Sequence, residues 1–187
     1  GDTVAYRLSG NMHQRDGYYS NGAAGIDDQN DADDWNMLGK LLWEPTDRLS
    51  MLLSAAHVER DTNCCGADST QGDAVQQELI NQGFSPDKND PYDYKVANDH
   101  QDSFSMQSDL VSLHIEYEMD GASITSITAW SDYDFTINTD PDRSQLDQLA
   151  LNDEYNEGDS FSQELRLDAS LGDKIDYQLG VFYYEQT

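Results

Sequence analysis

The 187-residue chain is poor in basic side chains, with ten Lys and Arg residues against 37 Asp and Glu residues. Its formal net charge of -27 repels the phosphates of nucleic acid, which disfavours a nucleic-acid-binding function. Hydrophobic residues make up only 37% of the chain, below the roughly 45–50% of ordinary globular domains. No apolar run approaches the roughly 20 residues that a transmembrane helix needs. These shortages argue against an ordinary globular core and against a helical membrane span.

Aromatic residues are plentiful, with three Trp, eleven Tyr and five Phe, and such residues are scarce in disordered chains. The acidic residues are unevenly placed. The segments 16–34, 61–103 and 136–160 hold 22 of the 37 acidic residues but only three of the ten basic ones. The chain therefore divides into three acidic segments and more regular stretches between them.

The regular stretches alternate apolar and polar residues with a period of two, which is typical of strands with one apolar face. Seven strands are predicted, at about 3–13, 35–44, 49–59, 106–119, 123–135, 164–169 and 175–183. The clearest contains Val111, Leu113 and Ile115 at alternate positions. Imperfect alternation within 123–135 suggests a β-bulge there.

The connections between these strands alternate in length. Residues 45–48, 120–122 and 171–174 form short turns, and the acidic segments form the other three connections. Outer-membrane barrels have short periplasmic turns and long extracellular loops. Trp35 and Trp43 share a face and would lie roughly 20 Å apart along the membrane normal, close to the ~25 Å apolar band of such barrels. The prediction is an all-β, antiparallel, up-and-down transmembrane β-barrel segment of about seven strands, with a soluble β-sandwich as the alternative.

Four stretches resemble the barrel strands of TonB-dependent outer-membrane receptors: LLWEPTDRLSM (41–51), SITSITAWSDYDF (123–135), FSQELRLDAS (161–170) and YQLGVFYYEQ (177–186). The RDGYYSN stretch (15–21) and the adjacent cysteines in a long loop resemble the same family. That family implies a barrel of about 22 strands with a plugged lumen. An odd number of strands cannot close a bacterial single-chain barrel. Residues 1–187 are therefore expected to be a partial barrel domain, without a recognisable plug or TonB-engaging motif.

The resemblance implies a receptor fragment in the outer membrane of a Gram-negative bacterium. Its function would be active uptake of a scarce nutrient, foremost a ferric siderophore, with that complex as the small-molecule ligand. The implied partners are outer-membrane lipid, the remaining barrel strands and plug, and the TonB complex through the missing N-terminal part. The alternatives are a soluble, secreted all-β carbohydrate-binding module and a segment of a passive porin.

Five residues of the acidic segments are the candidates for ligand contact: Tyr18, Tyr19, Asp31, Asp33 and Arg143. The acidic run 27–34 lacks the glycine and terminal Glu of an EF-hand loop, so it is expected to be a solvated loop. None of the four His residues has the spacing of a metal motif, and no metal site is expected. No nucleophile or phosphate-binding motif is present, so we expect neither an enzyme nor a cofactor.

The adjacent cysteines, Cys64 and Cys65, can form a vicinal disulfide, since outer-membrane loops mature in an oxidising compartment. The bridge would either stiffen the loop or act as a redox-sensitive clip or soft-metal ligand. Residues 73–82 are predicted to form a short helix with Asp73 as its N-cap and Gly83 at its end. Val75 and Leu79 would share one face of that helix.

Overall fold

The computed structural model describes residues 3–66, 71–85, 90, 92–149, 152–172 and 174–187. Its elements are β1 (Val4–Arg15), β2 (Ser20–Asn21), β3 (Ala32–Thr46), β4 (Leu49–Thr62), α1 (Asp73–Asn81), β5 (Lys95–Val96), β6 (Ser103–Met119), β7 (Ala122–Thr139), β8 (Asn152–Leu171) and β9 (Ile175–Gln186). The seven long strands form one sheet in the order β1-β3-β4-β6-β7-β8-β9, and each pairs antiparallel with the next. The predicted all-β antiparallel meander of seven strands is confirmed.

The two ends of the sheet carry connections of different length. The short turns at 47–48 and 120–121 and the short connection from Leu171 of β8 to Ile175 of β9 lie at one end. The first loop (16–31), the second loop (63–102) and the third loop (140–151) lie at the other. Asp120 and Gly121 make a two-residue turn in which Gly121 has a φ of 79°, a conformation that suits glycine in tight hairpins.

The register staggers successive hairpins. Leu49 directly follows the first short turn and pairs with Tyr117, which leaves two further residues of β6 before the next turn. Ala122 directly follows that second turn and pairs with Ala169, again leaving two residues before the third. With ~3.4 Å per residue and ~4.8 Å between strands, turns that lie in one plane require a strand tilt of ~35°. This value lies at the lower end of the range for transmembrane barrels.

The strands extend further towards the long loops than the alternation predicts. β8 begins at Asn152, twelve residues before the predicted strand, and β7 continues to Thr139. In these extensions the face that is apolar near the short turns becomes largely polar, while Phe104 and Ile137 lie on the opposite face. The period-two signal of the sheet centre is therefore lost although the backbone pairing continues. The bulge expected in β7 is absent, and the irregularity lies between Trp43 and Thr46, where Pro45 lacks an N–H for the ladder.

One face of the sheet is apolar and remains open. Leu41, Leu53 and Leu113 are direct neighbours on three adjacent strands, and Val181 on the last strand is 68% exposed. Within the described residues no second sheet is stacked on this face: the two remaining strands, β2 and β5, pair only with each other. A soluble sandwich would enclose these side chains between two sheets, whereas in this arrangement they remain exposed.

Polar groups on the apolar face bond to one another. The Thr128 hydroxyl donates to Gln163 Oε1 at 2.6 Å, and the Gln163 amide donates to the Ser126 hydroxyl at 3.0 Å. Such pairing suits a surface without water, where an unpaired polar group is costly. Towards the loops the face becomes charged, since Asp109 pairs with His57 and Asp132 in one row. From Tyr117 to Asp109 the apolar stretch rises ~22 Å at the tilt above, close to the ~25 Å band of transmembrane barrels.

The buried core lies in the long loops, not under the sheet. Among the described residues, the buried hydrophobic side chains are Leu79, Val96 and Leu146, all of them in the second and third loops. Helix α1 supplies Leu79, as its predicted face requires. Gly72, and not Asp73, occupies the N-cap position, and the helix has no side-chain cap. No described helix has the length and apolar character to cross a membrane.

Candidate ligand-binding site in the long loops

Backbone pairing joins the first loop to the second. Ser20 and Asn21 of β2 run parallel to Lys95 and Val96 of β5. The Asn30 amide also donates to the carbonyl of Gly66 at 2.8 Å. Two loops that are far apart in sequence therefore form one structure at the end of the sheet.

Contacts between the second and third loops are equally direct. The backbone N–H of Asp99 donates to the carbonyl of Ser144 at 3.0 Å. The backbone N–H of Asp140 donates to the carboxylate Oδ1 of Asp102 at 2.6 Å. The three loops thus form a continuous cap whose interior holds the buried side chains. A preformed surface of this kind binds a ligand with less ordering cost than separate mobile loops.

An aromatic cluster lies where the first and second loops meet. The ring centroids of Tyr18, Tyr19 and Tyr94 lie between 5.2 and 6.1 Å from one another. The guanidinium carbon of Arg15 lies 5.0 Å from the centroid of the Tyr18 ring, within the range of a cation–π interaction. Tyr18 and Tyr94 remain 50% and 52% exposed, so the cluster presents aromatic surface to a ligand.

Buried carboxylates define the electrostatics of the second and third loops. Burial raises the pKa of Asp102, against the stabilising hydrogen bond from the N–H of Asp140. Burial also raises the pKa of Asp140 to about 6, and the negative charges of Asp142 and Asp99 add to that rise. Asp140 is only 2% exposed, so the negative charge of its carboxylate is poorly solvated.

Asp140 lies beside two ligand-type side chains of the second loop. One ligand atom from each of Asp99, His100 and Asp140 lies within 4.8 Å of the others. His100 Nδ1 contacts Asp99 Oδ1 at 2.8 Å, and this hydrogen bond raises the pKa of the His100 imidazole. The arrangement can bind a proton or a cation.

The expected ligand-contact residues have unlike environments. Tyr18 and Tyr19 lie in the aromatic cluster described above. Asp31 Oδ1 accepts hydrogen bonds from the Thr62 hydroxyl at 2.8 Å and from the Asn63 N–H at 2.6 Å, so Asp31 anchors the first loop to the end of β4. The acidic run 27–34 is thus attached to the sheet at this point and is not a freely solvated loop.

Asp33 and Arg143, the other two expected contacts, lie at different places. Asp33 belongs to β3 and accepts a hydrogen bond from the Gln14 amide at 3.1 Å. Arg143 has a positive φ of 51° and donates to the carbonyl of Cys65 at 3.4 Å. Arg143 therefore joins the third loop to the second, while Asp33 lies at the strand end, and the five candidates do not form one site.

Cys64 and Cys65 are disulfide-bonded in the structure. The bridge lies beside the tight contact between Gly66 and Gln29, where a Cβ on Gly66 would come within 2.5 Å of the Gln29 side chain. Gln29 is 0% exposed. The disulfide is thus placed at the junction of all three loops, because the carbonyl of Cys65 accepts a hydrogen bond from Arg143 and the adjacent Gly66 N–H donates to the Asn30 side chain.

Sequence reasoning missed Tyr94 and the group formed by Asp99, His100 and Asp140. Tyr94 is 76 positions from Tyr18, and the third-loop carboxylate of Asp140 is 40 positions from His100. No motif spans such distances. The usable signal was positional: Asp99 and His100 shortly precede β6, and Asp140 directly follows β7, which is paired with β6.

The fold is that of part of a TonB-dependent receptor barrel. The whole chain matches 26% of the siderophore receptor PiuA from Acinetobacter baumannii, with a TM-score of 0.66 and 15% sequence identity. It also matches 30% of the ferric-catecholate import receptor Fiu from E. coli K12 in its open form, with a TM-score of 0.64 and 14% identity. The closed form of that receptor matches over 28% of its length, with a TM-score of 0.62 and 15% identity.

The chain spans between a quarter and a third of the length of these receptors. No family model and no curated protein matches its sequence. The expected likeness to TonB-dependent receptor barrels is confirmed at the level of the fold. The barrels that the chain resembles are receptors and transporters and are not enzymes.

Proposed function

We propose that this chain is a barrel portion of a TonB-dependent receptor that imports a ferric siderophore across the outer membrane of a Gram-negative bacterium. The observation that carries the proposal is the match of the entire chain, loops included, to siderophore receptors of two kinds. Energy for uptake would come from the TonB complex, which acts through a plug supplied by another part of the same receptor. Outer-membrane lipid and the remaining barrel strands are the other partners.

The open apolar face supports the membrane part of the proposal. Seven strands expose aliphatic side chains on one side, including Leu179 at 62% and Leu165 at 47%. A patch of this extent is rare on monomeric soluble proteins. Contact with acyl chains removes it from water, at a gain of roughly 25 cal/mol per Å² of apolar area.

The sheet edges support a larger barrel. Within the described part of the chain, β1 and β9 each pair with one strand only, so each presents a row of unpaired backbone groups on its outer side. In lipid such groups must be satisfied by further strands. The remaining strands of the receptor would satisfy both rows and close the barrel.

The loop surface supports ligand capture. Tyr18 and Tyr94 present aromatic faces at the end of the sheet, with the Arg15 guanidinium beside them. Rings and a guanidinium suit the flat, conjugated chelating groups of a siderophore. The acidic loops add a negative field, which favours a neutral or cationic ferric complex over a strongly anionic one.

The test uses cells that produce the full-length receptor, with two radiolabelled iron probes. One probe is ferrioxamine B, a cationic trihydroxamate, and the other is the anionic complex of iron with three 2,3-dihydroxybenzoate ions. Deletion of the gene should abolish receptor-dependent uptake of the trihydroxamate probe, and the full-length gene should restore it. Unchanged uptake of both probes after deletion would contradict the proposal.

Tyr18→Ala supplies the residue-level arm of this test, and Tyr155→Ala is its matched control. Tyr155 is 59% exposed and belongs to β8, away from the aromatic cluster. The proposal expects a several-fold weaker apparent affinity for the imported probe in Tyr18→Ala and no change in Tyr155→Ala. Equal effects of the two substitutions would assign the ligand contact elsewhere.

A further inference from the structure

The side chains of Asp99, His100 and Asp140 converge from two loops. Asp99 and His100 end the second loop just before β6, and Asp140 opens the third loop just after β7. One ligand atom from each lies within 4.8 Å of the other two. The backbone hydrogen bond from Asp99 to Ser144 holds the two loops together at this point.

Asp140 has a buried carboxylate oxygen without a partner. Its Oδ1 accepts hydrogen bonds from the backbone N–H groups of Asp142 at 3.1 Å and Arg143 at 3.0 Å. Its Oδ2 is buried and accepts no hydrogen bond from the residues that the structure describes, and the residue as a whole is only 2% exposed. Buried polar atoms in folded proteins nearly always have a partner, and an unpaired one calls for an explanation such as a bound ion.

We infer that Asp99, His100 and Asp140 bind a divalent transition-metal ion of the Zn²⁺ class, which joins the second loop to the third. Carboxylate oxygens alone would suit Ca²⁺ or Mg²⁺, whereas an imidazole nitrogen favours Zn²⁺ and its neighbours in the transition series. Three protein ligands leave a fourth position for water or for a ligand atom. The inference does not depend on the proposed import function.

The geometry requires only a small contraction. Two ligand atoms bound to one tetrahedral Zn²⁺ at ~2.1 Å lie ~3.4 Å apart. Ligand atoms at up to 4.8 Å therefore approach by up to about 1.4 Å when the ion binds. Asp99 and His100 are only half-buried, so their side chains have room to rotate, while Asp140 is fixed by its two backbone donors.

A histidine beside a carboxylate is not sufficient for such a site. His13 lies 3.5 Å from Asp34, and within the residues that the structure describes this pair has no third ligand-type side chain in range. The buried Oδ2 of Asp140 distinguishes the group in the loops. His13 therefore offers a matched control, since it is also a histidine paired with an aspartate near the loop end of the sheet.

This inference departs from the expectation that the chain has no metal site. That expectation rested on the sequence spacing of known metal-binding motifs. Here Asp99 and His100 are adjacent in sequence, and Asp140 follows His100 by 40 positions. The pairing of β6 with β7 brings the two parts together. Motif searches along one segment cannot detect a group of this kind.

The test titrates Co²⁺, a coloured substitute for Zn²⁺, into the full-length receptor in detergent after treatment with a chelator. The visible absorption of bound Co²⁺ reports its ligands, and added Zn²⁺ should displace it. Two variants remove one ligand each: His100→Gln and Asp140→Asn. In Asp140→Asn, the amide oxygen can keep the two backbone hydrogen bonds, while an NH₂ group replaces the oxygen that would bind the ion.

The inference expects saturable Co²⁺ binding that weakens at least tenfold in both variants and is unchanged in His13→Gln. The heat-dependent gel mobility of each variant, which reports a folded barrel, should equal that of the parent protein. Two results would overturn the inference: no Co²⁺ absorption in the parent protein, or equal binding by the parent protein and both variants. Loss of binding in His13→Gln alone would also overturn it.

Discussion

Leu113→Arg tests which face of the sheet contacts lipid. Leu113 lies on the apolar face between Leu53 and Thr128. It is four residues from Tyr117 and four from Asp109, the limits of the apolar stretch on β6. At ~3.4 Å per residue and the ~35° tilt derived above, each limit is ~11 Å away along the membrane normal. In the proposed membrane-spanning barrel, Leu113 would therefore lie near the bilayer midplane.

An arginine at the midplane of a transmembrane barrel costs about 2–4 kcal/mol. A loss of about 3 kcal/mol lowers the folding equilibrium constant roughly a hundredfold. The matched control is Ser112→Arg, because Ser112 is the adjacent residue on the opposite face and has the small partners Ser54 and Ala129. In the pore, that arginine remains hydrated, and we expect a change within about 1 kcal/mol.

The assay is urea unfolding of the full-length receptor in lipid vesicles, read from its heat-dependent gel mobility. The urea midpoint should fall clearly for Leu113→Arg and stay near the parent value for Ser112→Arg. A larger loss for Ser112→Arg would mean that the faces are reversed. Equal losses would mean that both faces are enclosed in protein, and the lipid assignment would then fail.

Two further predictions concern the loops. Leu146→Ala should cost about 2–5 kcal/mol of local loop stability, because Leu146 is only 1% exposed. The control Leu149→Ala should cost little, because Leu149 is 53% exposed. Hydrogen exchange at the backbone amide of Asp99 should become at least about tenfold faster in Leu146→Ala, while the amide of Leu113 stays protected. Faster exchange at both amides would mean that Leu146 belongs to a core shared with the barrel. The acidic loops should also make binding of the trihydroxamate probe stronger than that of the triscatecholate probe at low salt, with the difference shrinking above ~0.15 M salt, where the Debye length is ~8 Å. A preference that does not change with salt would mean that shape, and not the field of the loops, selects the ligand.

The limits of the apolar stretch explain why strand lengths were underestimated from sequence. Alternation is visible only where one face is apolar, as at Val111, Leu113 and Ile115. Beyond Asp109 on β6 and Asp132 on β7, that face is polar and apolar residues such as Met106 and Phe135 lie on the opposite face, so the ladder continues without the same alternation. Hydrogen bonding between backbones does not depend on that signal, so the coordinates alone show the full strands.

The candidate site was less predictable than the sheet for a related reason. Tyr18 and Tyr19 were expected ligand contacts, and both lie in the aromatic cluster. Arg143 and Asp31 were also expected ligand contacts, yet both side chains mainly hold loops together. The role of a loop residue depends on which other loop lies against it, and no local pattern encodes that contact.

Sequence alone determined the repeating features: the period of two, the alternation of short turns with acidic loops, and the family of barrels that this pattern resembles. These features are local, since side-chain direction along a strand follows from backbone geometry. Only the tertiary structure decided the stagger of the hairpins and the ~35° strand tilt that it implies, the buried core of Leu79, Val96 and Leu146, and the convergence of Asp99 and His100 with Asp140. Those depend on the register between strands and on contacts between loops that are distant in sequence.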